Sequence, residues 1–346
     1  MNLKKVYLEL TDKCNLNCKI CYREAWAHRP QHMKESLLEN IKQQISKVNN
    51  LDEIMLGGIG EPTYSPLFEK ALWLLQDYHL TVTTNGTLLN ENNIDLLSEY
   101  VDVIVISIDG LRDCYENLRG ANLDKVITGI KKIDKAKRGR GSKSPHVQVQ
   151  FVASRDNIDD IFGLIDLCAE LNIEKLIISN LLPQDEKNAD KILYTRYENK
   201  EVKQLFSRVR NYSFSKGVNL FIPNIELKTE RRCNFIIEGA TFITSTGQVT
   251  PCYRFAHDSK EYVFGREKNI RAKSFGDLNC SDIQAIWQSK EYTEFRNSVY
   301  NNLYPSCTDC DLVEGCDMVN DADTNCYGVS PSCSDCIWAR NIVVCP

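Results

Sequence analysis

The amino-acid sequence predicts an α/β fold: a partial (β/α)6 barrel of the TIM type over residues 1–214, followed by a smaller cysteine-rich domain over 215–346. Three observations predict it. Strand-like and helix-like stretches alternate through the first half, several of those strands are almost wholly apolar, and ten of the fifteen cysteines fall between Cys233 and Cys345. Apolar strands suit a sheet covered on both faces. Strand–helix alternation implies parallel strands with right-handed crossovers.

The elements follow in order. KVYLEL (5–10) reads as the first strand, and Leu37, Leu38, Ile41, Ile45 and Val48 mark one face of a helix at three-to-four spacing. EIMLGG (53–58), LTVTT (80–84), VIVISI (103–108), VQVQFV (147–152) and KLIIS (175–179) supply the other strands. PLFEKALWLLQDY (66–78), IDLLSEY (94–100), LDKVITGIKKIDKAK (123–137) and IDDIFGLIDLCAEL (158–171) supply the other helices. Cys168 falls on the last of these and reads as a small buried hydrophobe, whereas Cys114 falls in a loop with a free thiol. From about residue 215 the alternation stops and the cysteines take over.

Bulk properties narrow the function. The formal charge of −5 argues against a nucleic-acid partner, which needs clustered excess Lys and Arg. No run of 18 apolar residues exists, so no membrane span is expected. MNLKKVYLEL lacks a long apolar signal core, so a cytoplasmic, reducing location is expected. There, cysteines are metal ligands more often than disulfides.

In such a barrel the chemistry sits at the C-terminal ends of the strands. TDKCNLNCKICY, GGIGEP, TNGT, SIDG and SNLLP each follow a strand and share that mouth. The basic KRGRGSKSP (137–145) precedes a strand and belongs to the opposite face as a solvated loop. Residues 184–203 lie on the functional face, where Tyr194 or Tyr197 could touch a substrate, although a surface connection is the plainer reading. Cys14, Cys18 and Cys21 stand in a C-x3-C-x2-C spacing. Three thiolates are one short of a closed tetrahedral site. Either His28 or His32 completes a zinc site, or the three hold a four-iron cluster with one iron open to an outside ligand.

CNLNCKICY resembles the cluster motif of the radical S-adenosylmethionine (SAM) superfamily. GGIGEP resembles that family's glycine-rich motif and SIDG its fourth-strand motif, and the likeness spans roughly residues 5 to 180. The resemblance implies that SAM fills the open iron and is cleaved reductively to a 5′-deoxyadenosyl radical, which takes a hydrogen atom from an unactivated carbon. It implies SAM contacts at Gly57, Gly58, Gly60, Glu61, Asn85, Ser107, Asp109, Arg119 and Asn180. Glu61 is equally an anchor for its own loop, and Arg119 equally a surface arginine. Ile20 stands where the family often has an aromatic residue. Glu9, at the end of the first strand, is a candidate catalytic base for which a structural role is the stronger reading.

Cys233, Gly247 and Cys252, then Cys307, Cys310 and Cys316 in a C-x2-C-x5-C spacing, resemble the SPASM domain, which carries two auxiliary four-iron clusters in that family. TFITSTGQVTPC would be its hairpin, turning at Thr246–Gly247, and SDIQAIWQSKEYTEFRN its helix. Asn320 stands where the next cysteine is usual, and Cys326 is the nearest substitute. The resemblance suggests Cys233, Cys252 and Cys326 with Cys345 or Cys280 for one cluster. Cys307, Cys310, Cys316 and Cys336 would hold the other, with Cys333 able to replace Cys336. A zinc-ribbon-like site is the alternative.

Such enzymes most often modify peptides or proteins by crosslinking, oxidation or excision. Over its full length the chain most resembles radical SAM maturases of tungsten-cofactor oxidoreductases, carried by EIMLGGIGEPTYSP, ISNLLP and CSDCIWARNIVVCP. The implied partners are a peptide or protein substrate and a ferredoxin or flavodoxin-type reductant. Thirteen residues precede Cys14, so no winged-helix leader-binding module is expected ahead of it. The competing readings are a radical SAM dehydrogenase of a small molecule and a non-catalytic iron-sulfur carrier or scaffold.

Overall fold

A computed structural model describes residues 1–26 and 28–345. The barrel elements run β1 (Lys5–Leu8), α1 (Glu35–Ile45), β2 (Glu53–Leu56), α2 (Phe68–Leu75), β3 (His79–Thr84), α3 (Glu91–Tyr100), β4 (Val103–Ser107), α4 (Arg112–Arg119), α5 (Leu123–Gly139), β5 (His146–Ala153), α6 (Ile161–Glu170) and β6 (Lys175–Asn180). The short α7 (Glu186–Ala189), α8 (Lys200–Ser215) and β7 (Asn219–Phe221) close this half. Strands β1 to β7 are all parallel neighbours in sequence order, as expected of the α/β barrel. Val6, Leu8, Ile54, Leu56, Ile104 and Ile106 are fully buried under the helices, in one continuous apolar core with Leu38, Ile41, Leu72 and Ile130. Burying such side chains contributes about 1.5–3 kcal/mol each.

Helix α4 is absent from the sequence reading. Its charged RDCYENLR has no long apolar stripe, but Tyr115 and Leu118 are buried, and Gly120 ends it in the left-handed conformation (φ 66°). Cys114 therefore lies on a helix rather than in a loop.

The second half continues the same sheet. After α9 (Asn234–Ile237), strand β8 (Ala240–Ile243) pairs parallel with β1, and β9 (Gln248–Thr250) turns back on β8 at Gly247 (φ 90°). A hairpin of β10 (Ser259–Val263) and β11 (Arg266–Ile270) stands apart, and β12 (Gly276–Asp277) edges β9. The resulting order is β12-β9-β8-β1-β2-β3-β4-β5-β6-β7. The expected single helix over 281–297 is two, α10 (Ile283–Gln288) and α11 (Lys290–Tyr300). Ser289 breaks it: its backbone is extended (ψ 147°) and its hydroxyl caps the Tyr292 N–H. Beyond residue 300, regular structure gives way to short 3-10 turns around the cysteines.

Candidate functional site

The loop from β1 carries Cys14, Cys18 and Cys21 to the barrel mouth, where all three line one cavity. Counting its open mouth, this cavity holds about 1280 Å³. The loop is fixed by its neighbours. The Leu16 and Arg23 N–H groups donate to the Cys14 and Cys21 sulfurs at 3.4 Å, and the Lys19 N–H donates to the Leu118 carbonyl of α4 at 2.8 Å. Gly60 packs flat beneath it, since a Cβ there would lie 2.1 Å from the Thr11 carbonyl oxygen. Burial pushes the Cys18 thiol up to about 11, with the Arg119 charge opposing.

Most of the residues singled out in the sequence meet in this cavity. Gly58, Gly60, Glu61, Asn85, Ser107, Asp109, Arg119 and Asn180 all line it. Gly57 does not: it faces β3, where a Cβ would stand 2.2 Å from Thr83 Oγ1. Buried Glu61 accepts from the Thr63 N–H and hydroxyl, the Thr84 hydroxyl and the Asn85 N–H at 2.6–3.1 Å. It thus pins the glycine-rich loop to the end of β3. Burial raises its carboxyl pKa despite those donors. The Asn85 amide reaches the cysteine loop, donating to Asn15 Oδ1 at 3.0 Å.

Asp109 and Arg119 form a buried pair. Arg119 Nε and a terminal nitrogen lie 2.7 and 2.5 Å from Asp109 Oδ2, while Oδ1 accepts the Val152 N–H at 2.7 Å. Burial opposes the guanidinium charge, but Asp109 outweighs it and raises the Arg119 pKa. Arg119 is therefore an oriented cation in the cavity wall, not a surface arginine. The tyrosines of the 184–203 segment stay out of the wall. Tyr194 is packed with Leu182 and Val343, and Tyr197 is 83% exposed.

Glu9 is fully buried and does not line the cavity. It contacts Gly58, accepts the Ser245 N–H at 3.2 Å, and meets His257 Nε2 at 3.0 Å. His257 stacks on His28 with centroids 4.6 Å apart and planes 9° apart, and His28 Nε2 lies 2.8 Å from Asp12. With near-parallel rings the nitrogen lone pairs do not converge on one ion, and each Nε2 is already on a carboxylate. The arrangement is a clasp joining the cysteine loop, the glycine-rich loop and the C-terminal half. It had no signal in the sequence, because its four members are scattered between residues 9 and 257.

A second, inner pocket is lined by Cys233, Cys252, Cys333, Cys336 and Cys345. The loop carrying Cys333 and Cys336 hangs on a buried ion network. Arg254 pairs with Glu261 and, at 3.0 Å, with Asp335, and Lys268 meets Asp335 at 2.8 Å. Burial alone would raise the Asp335 pKa, but Arg254 and Lys268 lower it. A third group forms farther out. Cys307 and Cys316 share a small cluster with Val313 and Val319. Cys310 follows on the same 3-10 turn. The grouping differs from the sequence expectation in one respect: Cys336, with Cys333, stands around the pocket of Cys233 and Cys252 rather than with Cys307. Cys280 stands with neither. It is exposed on the loop whose Leu278 carbonyl accepts from Asn40 of α1. Fold connectivity, not spacing, decides this, because the 332–336 loop folds back under β10 and β11.

The sulfur spacing suits clusters better than single ions. Among the described residues, the group of three metal-ligating side chains converging within 4.8 Å is Asp12, His28 and His257, which contains no cysteine. A zinc–thiolate site would bring its sulfurs to about 3.8 Å from one another, given Zn–S bonds of roughly 2.3 Å. A four-iron cube spreads its thiolates more widely.

Residues 8–168 match the radical SAM superfamily model and residues 233–311 the SPASM iron-sulfur cluster-binding domain. The chain is 36% identical, over 99% of its length and 97% of the relative's, to the tungsten-containing aldehyde ferredoxin oxidoreductase cofactor-modifying protein of Pyrococcus furiosus. A probable GTP 3′,8-cyclase of Pyrococcus abyssi is 30% identical over 58% of the chain and 65% of its own length. Among solved structures, anSMEcpe with bound AdoMet has a TM-score of 0.64 at 17% identity, covering 95% of this chain and 93% of that one. SuiB of Streptococcus suis bound to S-adenosylmethionine has 0.62 at 18%, covering 92% and 72%. These two likenesses speak for the fold. With the barrel, the three-cysteine mouth and the cysteine-lined inner pocket in place, the chain belongs to the radical SAM superfamily, in the SPASM-containing family of that tungsten-oxidoreductase cofactor-modifying protein.

Proposed function

We propose that this protein cleaves SAM reductively at the barrel mouth and uses the radical to modify a peptide or protein in the maturation of a tungsten-dependent oxidoreductase or its associated peptide. One observation carries the reading: the three-cysteine loop and the oriented Asp109–Arg119 pair face a single cavity whose inner wall is made by the cysteine-rich half. The near full-length likeness to a cofactor-modifying protein supports the biological setting. SuiB has been solved with a precursor peptide and anSMEcpe with a peptide, which supports the substrate class by analogy.

In this reading Cys14, Cys18 and Cys21 would hold a four-iron cluster with one iron left free of protein ligands. When bound, the cluster supplies the electron that breaks the sulfur–carbon bond. The protein's own residues bind and orient. Backbone at Gly58 and Gly60 comes close to the ligand because no Cβ intervenes. Glu61 keeps that loop on β3, and Arg119, held by Asp109, offers its remaining donors to a carboxylate. Asn85 and Ser107 supply polar contacts near the ribose. Glu9 acts as an anchor for the Gly58 turn rather than as a base. Cys307, Cys310, Cys316 and Cys326 would hold one auxiliary cluster, and four of the five cysteines of the inner pocket would hold another. A ferredoxin or flavodoxin-type carrier supplies electrons.

The test is anaerobic reconstitution with iron counting and product analysis. About twelve irons per chain with SAM-dependent 5′-deoxyadenosine release are expected. Turnover of a free sugar or alcohol without peptide affinity would favour a small-molecule dehydrogenase, and absence of SAM cleavage would favour an electron carrier.

A further inference from the structure

We propose that Cys345 is not an iron ligand but a free thiol, which together with Asn180 forms the polar end of a subsite for an uncharged substrate group. The proposal rests on the reading of the cavity given above. Five cysteines surround the inner pocket, and a four-iron cube takes four. Of the five, Cys345 alone also lines the outer cavity beside Cys14, Cys18 and Cys21. The other four are joined by contacts of their own: Cys233 and Cys252 pack against one small apolar cluster, Cys252 and Cys333 against another, and the Cys336 N–H donates to the Cys333 carbonyl at 3.2 Å.

The segment before Cys345 fixes where its thiol lies. The Ile342 carbonyl accepts from Asn180 Nδ2 at 2.9 Å, and the Val344 N–H donates to Ser179 Oγ at 3.0 Å. The Val344 side chain packs inside the barrel against Val105 of β4 and Ile177 of β6. A strap anchored on two strands this way holds Cys345 between the two cavities.

Asn180, expected from the sequence to touch SAM, is instead tied to the C-terminal strap and gives a second sign of a ligand there. It is 1% exposed and lines the outer cavity, and its Nδ2 is spent on the Ile342 and Asn224 carbonyls. Its Oδ1 has no hydrogen-bond partner among the described residues. A buried acceptor left bare is costly, so the site is built to receive an N–H or O–H. Leu182, Val343 and Trp338 pack together next to it, none of them charged at neutral pH, while the charged Glu61, Asp109 and Arg119 of the same cavity sit on the mouth segments after β2 and β4. An ammonium or carboxylate entering here would be buried without a partner. The fitting group is neutral and largely apolar, with one donor for Asn180, such as an aliphatic side chain beside a peptide N–H.

Two measurements on reconstituted full-length protein test this. Cys345→Ser and Cys345→Ala are expected to keep the wild-type iron count, whereas Cys336→Ser loses about four irons. A loss of about four irons in both Cys345 variants would overturn the proposal. In the second, paramagnetic broadening of probe proton lines is recorded with wild-type holoenzyme saturated with SAM, so that Arg119 and the mouth cluster are already engaged and cannot take up the carboxylate probe. Isobutyramide is expected to broaden at least threefold more than isobutyrate, and Cys345→Trp to abolish the difference. Equal broadening of the two probes, or no effect of Cys345→Trp, would overturn it, and the wild-type comparison decides even if a variant misfolds. Failure of SAM cleavage in wild-type protein would instead sink the functional reading and leave the iron counts to stand.

Discussion

The two cysteine-bearing regions of this molecule are built in opposite ways. The Cys14–Cys21 loop is a short graft on a self-sufficient barrel: its cysteines hang from strand ends whose apolar core closes without them. The region from 301 to 345 has no strand or α-helix of its own; of its cysteines Cys307 is buried while Cys310 and Cys326 are exposed, and its buried groups are scattered side chains such as Tyr304, Val319, Ile342 and the ion-paired Asp335. Metal in the first region is expected to serve chemistry alone, and in the second to serve folding as well.

The sharpest way to break that contrast is to remove ligands from each side. Replacing Cys14, Cys18 and Cys21 together by Ala should remove about four irons and all SAM cleavage. Thermal melting should shift by no more than about 5 °C, because the loop adds little to the core. A large loss of stability would show that the mouth cluster is structural too. Cys307→Ser or Cys252→Ser should do the reverse to the fold: limited proteolysis would cut first between 301 and 345 while the barrel survives. Cuts beginning in the barrel would contradict the division.

Next in size is Arg254→Met. It strands buried Glu261 without its partner and leaves Asp335 to Lys268 alone, and removing one member of such a buried pair costs about 3–5 kcal/mol, read by denaturant unfolding. Asp109→Asn should act on binding rather than on fold. Arg119 would lose its orienting charge, raising the SAM KM about tenfold, or about 1.4 kcal/mol at 25 °C, with little change in melting. Smallest is the pH effect at the clasp. Burial lowers the His257 pKa, but its contact with Glu9 outweighs this and the net shift is upward from 6.5. The ion pair is therefore fully present below 6.5, and its contribution fades as pH rises through the raised value. His257→Gln should flatten that slope and cost about 1 kcal/mol on the acid side.

The barrel was legible because each strand advertises itself. VIVISI and KLIIS are apolar throughout, and every mouth loop follows such a run. The site was legible where motif and strand end coincide, as at Gly60, Glu61 and Asp109. Helix α4 was not, since its stability comes from two buried residues and a glycine cap rather than from periodicity. Nor was the partition of the C-terminal cysteines. The SPASM resemblance suggests Cys336 beside Cys307. The Arg254–Asp335 pair instead draws Cys333 and Cys336 inward, and sequence separation hides that contact. The extension of the barrel sheet by β8 was equally silent, because ATFI names a strand but not its neighbour.

The central claim is that the iron at the barrel mouth keeps one corner for the cosubstrate. The most direct measurement is electron–nuclear double resonance on the reduced protein mixed with SAM labelled with ¹⁷O in its carboxylate and ¹⁵N in its amino group. The account predicts hyperfine coupling from both labels to the mouth cluster, lost in the triple Cys14, Cys18 and Cys21 variant. A wild-type spectrum without either coupling, from protein loaded with iron and saturated with SAM, would contradict it.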